Sequence, residues 1–260
     1  MLDERLITAL HVKTMRRNGL HAEHEPHRLF QASTIGALLD GAYEGDVSFG
    51  ELAEHGDLGL GTLNHLDGEM IAIDGRFFRA DVEGCITEIA PDQLTPFAVT
   101  VWFSPTINVE FDEPQDLERL LSALDECIPP EIESCAVRID GEFARVRARS
   151  VPRQEPPYRR LAEVVADQKV FELTDITGSV VGVRFPDYAE GVEVSGWHLH
   201  FVDDPRQRGG HVLDCELRRG SAAIDPSDSL RIELPPGVEL EGSDLAESTR
   251  AALRHAERDG

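Results

Sequence analysis

Residues 196–217 read GWHLHFVDDPRQRGGHVLDCEL, and they hold three of the chain's ten histidines: His198, His200 and His211. Trp197, Leu199 and Phe201 alternate with His198 and His200, which is the two-residue period of a strand. The segment DDPRQRGG (203–210) contains a proline and two glycines and reads as a chain reversal, so His211 opens a returning strand. Strand residues i and i+2 share a face about 6.6 Å apart, which sets His198 and His200 side by side. An antiparallel return brings His211 next to them. Imidazoles so placed converge on one divalent ion at about 2.0–2.1 Å each, and three histidines with an open position commonly hold a catalytic metal. An HxH pair alone is more often an incidental polar pair on the wet face of a hairpin. The third histidine, just across a glycine-bearing turn, favours the metal. Cys215 stands on the same face in this reading, but it lies four strand residues from His211, about 13 Å along the strand and out of reach.

Outward from this hairpin, strand patterns continue in ELTDITGSVVGVRFP (172–186) and SLRIELP (229–235). Earlier, TPFAVTVWF (95–103) reads as an apolar strand. GEMIAIDGRFFRA (68–80) and CAVRIDGEFARVRARSV (135–151) read as hairpins turning at Asp74–Gly75 and Asp140–Gly141. Helical spacing marks FQASTIGALLD (30–40, capped at Ser33 or Thr34), the start SFGEL (48–52), PQDLERLLSALDECI (114–128) and YRRLAEVVADQKV (158–170). The three prolines of VPRQEPPY (151–158) make it the best candidate for a junction. The order of elements implies an α+β fold with mixed or antiparallel sheets, not a doubly wound parallel sheet. It divides into a polar leader (1–27), an N-terminal unit (28–150), a β-rich C-terminal unit carrying the metal hairpin (151–240) and a tail (241–260).

Charge narrows the function. Acidic residues outnumber basic ones 49 to 25, a formal net charge of −24, so nucleic acid and anionic membrane are poor partners. Lys13 and Lys169 are the only lysines. With regular apolar periodicity, this composition points to a folded protein adapted to concentrated salt, where self-repulsion is screened over a few ångströms. The charged N-terminus lacks the apolar segment of a signal peptide, and Cys85, Cys127, Cys135 and Cys215 form no CxxC pair. The expectation is a cytoplasmic protein with reduced thiols. His21, His24 and His27 lie in the polar leader and read as solvated rather than metal-binding, and His55 and His65 flank glycine-rich turns without evident partners.

Four stretches together resemble the α-acetolactate decarboxylase family. They are STIGALLDGAYEGDVSFGELAEHGDLGLGTLNHLDGEMIAIDG (33–75), RSVPRQEPPY (149–158), GSVVGVRFPDYAEGVEVSGWHLHF (178–201) and GGHVLDCEL (209–217). The resemblance runs from about Phe30 to about Leu234 and implies two α/β domains, a homodimer and one zinc ion per chain on His198, His200 and His211. It places an active-site glutamate at Glu69, an arginine at Arg149 and a second glutamate, from the tail, at Glu257. Read without it, Glu69 would be a solvated turn carboxylate and Arg149 one of an exposed alternating row with Arg145, Arg147 and Arg153. Trp197 replaces a tyrosine common in the family's histidine motif, on the face away from the metal.

The implied reaction is decarboxylation of 2-acetolactate to acetoin, a carbon–carbon lyase step on the route to butanediol. Loss of carbon dioxide leaves an electron pair that flows into the neighbouring ketone, giving an enediolate whose charge a divalent Lewis acid stabilises. Protonation of one carbon face by a carboxylic acid, Glu69 or Glu257, then fixes the chirality. Arg149 orients the substrate. Two alternatives are a zinc hydratase or hydrolase on a β scaffold and a cupin-like binding module without catalysis. A cupin would place a glutamate a few residues after HxH, where this chain has Asp203, Asp204 and Pro205.

Overall fold

The structure is a computed structural model, and it describes residues 13–15, 25–189 and 191–234. Its larger sheet has eight strands: β1 (Lys13–Met15), β2 (Arg28–Ala32), β4 (Leu58–Thr62), β5 (Glu69–Ile73), β6 (Arg76–Ala80), β7 (Ile86–Glu88), β9 (Ala98–Val101) and β16 (Ser229–Glu233). They lie in the order β1-β16-β2-β9-β4-β5-β6-β7. β16 runs parallel to β1 and β2, and the remaining pairs are antiparallel. A two-stranded ribbon joins β3 (Val47–Ser48) to β8 (Leu94–Thr95).

The second sheet, in the order β10-β15-β12-β13-β14, is wholly antiparallel. Its members are β10 (Ile107–Phe111), β12 (Ser134–Ser150), β13 (Lys169–Phe185), β14 (Gly196–Asp203) and β15 (Gly209–Ser227), with β11 (Gln115–Asp116) beside β15. β14 is paired on both sides, with β13 along its length and with β15 at the hairpin. Helices are few and short: α1 (Ile35–Leu39), α2 (Phe49–Leu52), α3 (Leu117–Cys127) and α4 (Leu161–Val165). Thr34 caps α1, a capping box from Ser48 and Glu51 starts α2, and Asp116 caps α3.

The main core lies between the sheets, where Leu58, Leu60, Ile71 and Val99 of the first meet Ala136, Val181, Val183 and Val202 of the second. Leu120 and Leu124 of α3 cover the opposite face of the second sheet, against Val137, Ile139, Leu199 and Phe201. Because strand side chains alternate, Glu69 shares the inter-sheet face with Ile71, and His198 and His200 share it with Val202. The mixed-sheet α+β expectation holds. Among the described residues, no helix is long and apolar enough to cross a membrane.

Several local expectations change. The segment 135–151 is not a hairpin: β12 runs straight through Asp140 and Gly141, which pair with Ser179 and Gly178 on one side and Ser221 and Gly220 on the other. A Cβ on Gly141 would sit 2.6 Å from the Arg219 carbonyl oxygen, so glycine here permits close strand approach and makes no turn. Helical patterning at Phe30–Ala32 gives way to β2, and the helix expected over 158–170 shrinks to α4. β12, which ends at Ser150, pairs with β13 and β15. β12 is an interior strand of the second sheet, and β16 returns to the first sheet beside β2. The prolines at 152, 156 and 157 lack N–H donors and end the pairing of β12.

Candidate active site

His198 and His200 stand on β14, and His211 pairs directly opposite His200 at the start of β15. All three are buried, and one nitrogen from each lies within 4.8 Å of the others. Small ring rotations bring such a set within reach of one ion bonded at about 2.0–2.1 Å. The ring of His200 is fixed by its Nδ1–H, which donates to the Met70 carbonyl at 2.8 Å. A carbonyl only accepts, so Nε2 carries the lone pair. Burial first, then the charges of His198 and Arg149, hold the His200 pKa well below 6.5 against the opposing Met70 bond, so the ring stays neutral. Its Nε2 makes no hydrogen bond and lies 3.7 Å from Glu69 Oε2. A buried lone pair of this kind beside two further imidazoles is the donor set a borderline-soft divalent ion requires.

Glu69 opens β5, across the inter-sheet space from the histidines. Arg149 Nη1 donates to its Oε1 at 2.9 Å, and both side chains are under a tenth exposed. One carboxylate oxygen is thus anchored, and the other faces the histidine cluster. The chain enters Glu69 through a constrained turn with left-handed φ at His65 (66°), Leu66 (54°) and Gly68 (98°). Non-glycine residues hold that conformation only where their surroundings impose it. Here His65 N–H donates to the Tyr43 carbonyl at 2.7 Å and the Asn64 side chain brackets the Gly45 backbone. Arg79 grips Asp67 through two bonds of 2.6 Å. A Cβ on Gly68 would meet the Ala80 carbonyl at 2.4 Å, which excludes any larger residue before Glu69.

A family model described as alpha-acetolactate decarboxylase matches residues 29–247. The chain belongs to the α-acetolactate decarboxylase family. It is 45% identical to the α-acetolactate decarboxylase of Methylococcus capsulatus over 234 residues, covering 90% of each. It is 41% identical to the Klebsiella aerogenes enzyme of that name over 240 residues, covering 92% of each. The crystal structure of α-acetolactate decarboxylase from Bacillus subtilis superposes with a TM-score of 0.84 at 34% identity, covering 89% of this chain and 99% of that one.

Five of the six residues that the sequence singles out come together: Glu69, Arg149, His198, His200 and His211. Glu257 lies outside the described residues. Arg149 departs from the expected exposed row: it is buried, whereas Arg145 is partly exposed, Arg153 is exposed and both engage surface acids. Trp197 points away from the histidines, its Nε1–H donating to Asp125 of α3. Cys215 does not share the face of His211. An irregularity in the β12–β15 register inserts Leu213, so Cys215 turns with Val212 into the core beneath α3. Two supporting groups escaped sequence reading: the Met70 carbonyl, which no side-chain pattern reports, and Glu193, whose Oε1 lies 3.4 Å from His198 Nδ1. An acid between two buried valines, five residues before His198, was the available signal for the latter. His55 and His65 do have partners, Phe30 by ring stacking and the Tyr158 hydroxyl.

Proposed function

We propose that this chain decarboxylates 2-acetolactate to acetoin, with a zinc ion held by His198, His200 and His211. The observation that carries this reading is the buried Glu69–Arg149 pair set against the three-histidine cluster, which the fold assembles from β5, β12, β14 and β15. A divalent ion there supplies Lewis acidity for the negative charge that develops as carbon dioxide leaves.

The chain's own residues do the rest. His200 is locked with Nε2 toward the site by its bond to Met70. Arg149, a planar fork with donors beyond the one given to Glu69, orients the substrate through its hydroxyl or carboxylate. It does not hold the carboxylate tightly, because stabilising the ground state alone would slow departure of carbon dioxide. Glu69 Oε2 faces the same space from one side; a proton shared between Glu69 and Glu257 would pass from there to a single face of the carbon that lost the carboxylate, leaving Glu69 as the carboxylate paired with Arg149. Glu257 supplies the second carboxyl group of the acid–base pair. Burial of the site between two sheets limits competing protonation by water.

The test is acetoin formation from 2-acetolactate, followed colorimetrically and by chiral chromatography. Wild type should yield one acetoin enantiomer, and Glu69→Gln should lose activity about 10²–10⁴-fold, the usual scale for a proton-transfer group. No acetoin from the metal-loaded wild type would remove the reading.

A further inference from the structure

We infer that Glu193 is a positioning residue for the metal, resting on the three-histidine reading above: its buried carboxylate accepts the Nδ1–H of His198 and leaves Nε2 of that ring for the ion. Glu193 sits in the turn between the short 3-10 helix Asp187–Ala189 and β14. It is completely buried, and its flanking residues Val192 and Val194 belong to the main core. An ionisable side chain is costly in such a place unless something there needs it.

The backbone fixes how the carboxylate points. Glu193 N–H donates to the Ala189 carbonyl at 3.1 Å, and Glu193 Oε1 accepts the N–H of Val194 at 3.0 Å. The same oxygen lies 3.4 Å from His198 Nδ1. A carboxylate oxygen aimed at a ring nitrogen selects the tautomer with the proton on that nitrogen. His200 is held through the same atom, Nδ1, by the Met70 carbonyl. Two neighbouring rings are therefore anchored through the same atom, one by a neutral acceptor and one by a carboxylate. The charged acceptor makes its imidazole the more basic ligand and offsets part of the charge of a bound cation. Glu193 thereby tunes how tightly the site retains its metal and how strongly the ion acts as a Lewis acid.

Two variants separate this role from a purely structural one. Glu193→Gln keeps the acceptor and removes the charge, and Glu193→Leu removes both. Zinc affinity, measured by competition with a chromophoric chelator, should fall about 10–100-fold in Glu193→Leu and by a smaller factor in Glu193→Gln. The metal-free Glu193→Gln protein should melt no lower than metal-free wild type, since it no longer buries an acid. If Glu193→Leu fails to fold, the Glu193→Gln comparison alone decides. Wild-type zinc affinity in the variants that fold overturns the inference, as does an affinity loss matched by an equal loss of metal-free stability. Failure of wild type itself to bind zinc would instead strike the metal reading on which this rests.

Discussion

Replacing Arg149 by methionine leaves the buried Glu69 carboxylate without the guanidinium that contacts it at 2.9 Å. Both side chains are under a tenth exposed, so solvent screening discounts the interaction little. With charge centres about 4 Å apart and an effective dielectric near 20, the Coulomb term is about 4 kcal/mol. Breaking one partner out of a buried pair costs about 3–5 kcal/mol, so the two estimates agree. At roughly 2–4 °C per kcal/mol for a chain of this size, the melting temperature should fall by about 6–20 °C. Arg149→Lys restores a charge near Glu69 and should recover most of that loss. It should still turn over about 10²-fold more slowly than wild type, because a point charge does not replace a planar fork. Calorimetry of wild type and both variants, with acetoin production from the same samples, checks the pair of effects. An Arg149→Met protein that melts within about 2 °C of wild type would refute the energy assigned to the pair, and an Arg149→Lys protein with normal turnover would refute the positioning role of the planar fork.

Truncation before Arg254 removes Glu257; it should leave zinc content and melting temperature intact while turnover falls about 10²-fold or more, and full activity would leave Glu69 as the proposed proton donor. Burial first, and then Arg231, lowers the pKa of His55 from 6.5. The folded state therefore binds fewer protons there than the unfolded chain, so the stabilisation is complete above about pH 6.5 and is lost progressively as pH falls from there through the lowered folded value. His55→Phe keeps a ring against Phe30 without titrating, so its melting temperature should decline less than that of wild type between neutral and mildly acidic pH; parallel declines would refute this. Finally, the net charge of −24 should make the protein melt lower in dilute buffer than in molar salt, where the screening length shrinks to about 3 Å; an unchanged melting temperature would contradict the salt-adaptation reading.

What could be read from the sequence follows from how local each feature is. HxH and the glycine-bearing return are short-range patterns, and they placed His198, His200 and His211 together because strand alternation needs no tertiary information. Asp74–Gly75 was equally local: both residues take positive φ, and Ile73 pairs with Arg76 across a two-residue turn. The same dipeptide at 140–141 misled, because whether a glycine turns the chain or lets strands approach depends on neighbours such as Gly178 and Gly220, distant in sequence. Arg149 looked like Arg145 for a similar reason. Their surroundings differ because Glu69 of β5 and His211 of β15 stand against Arg149, whereas Arg145 meets the surface acids Asp214 and Glu216. The face of Cys215 was set by one inserted residue, and β-bulges leave no reliable mark in composition.

Stripping the purified protein with a chelator and titrating zinc back, while following acetoin from 2-acetolactate, joins the histidine cluster to the reaction. Activity should vanish on stripping and return in proportion to zinc, saturating at one ion per chain, whereas His200→Ala should neither retain zinc nor regain turnover. Undiminished acetoin formation in the stripped protein, or in zinc-free His200→Ala, would show that the three histidines do not carry the chemistry.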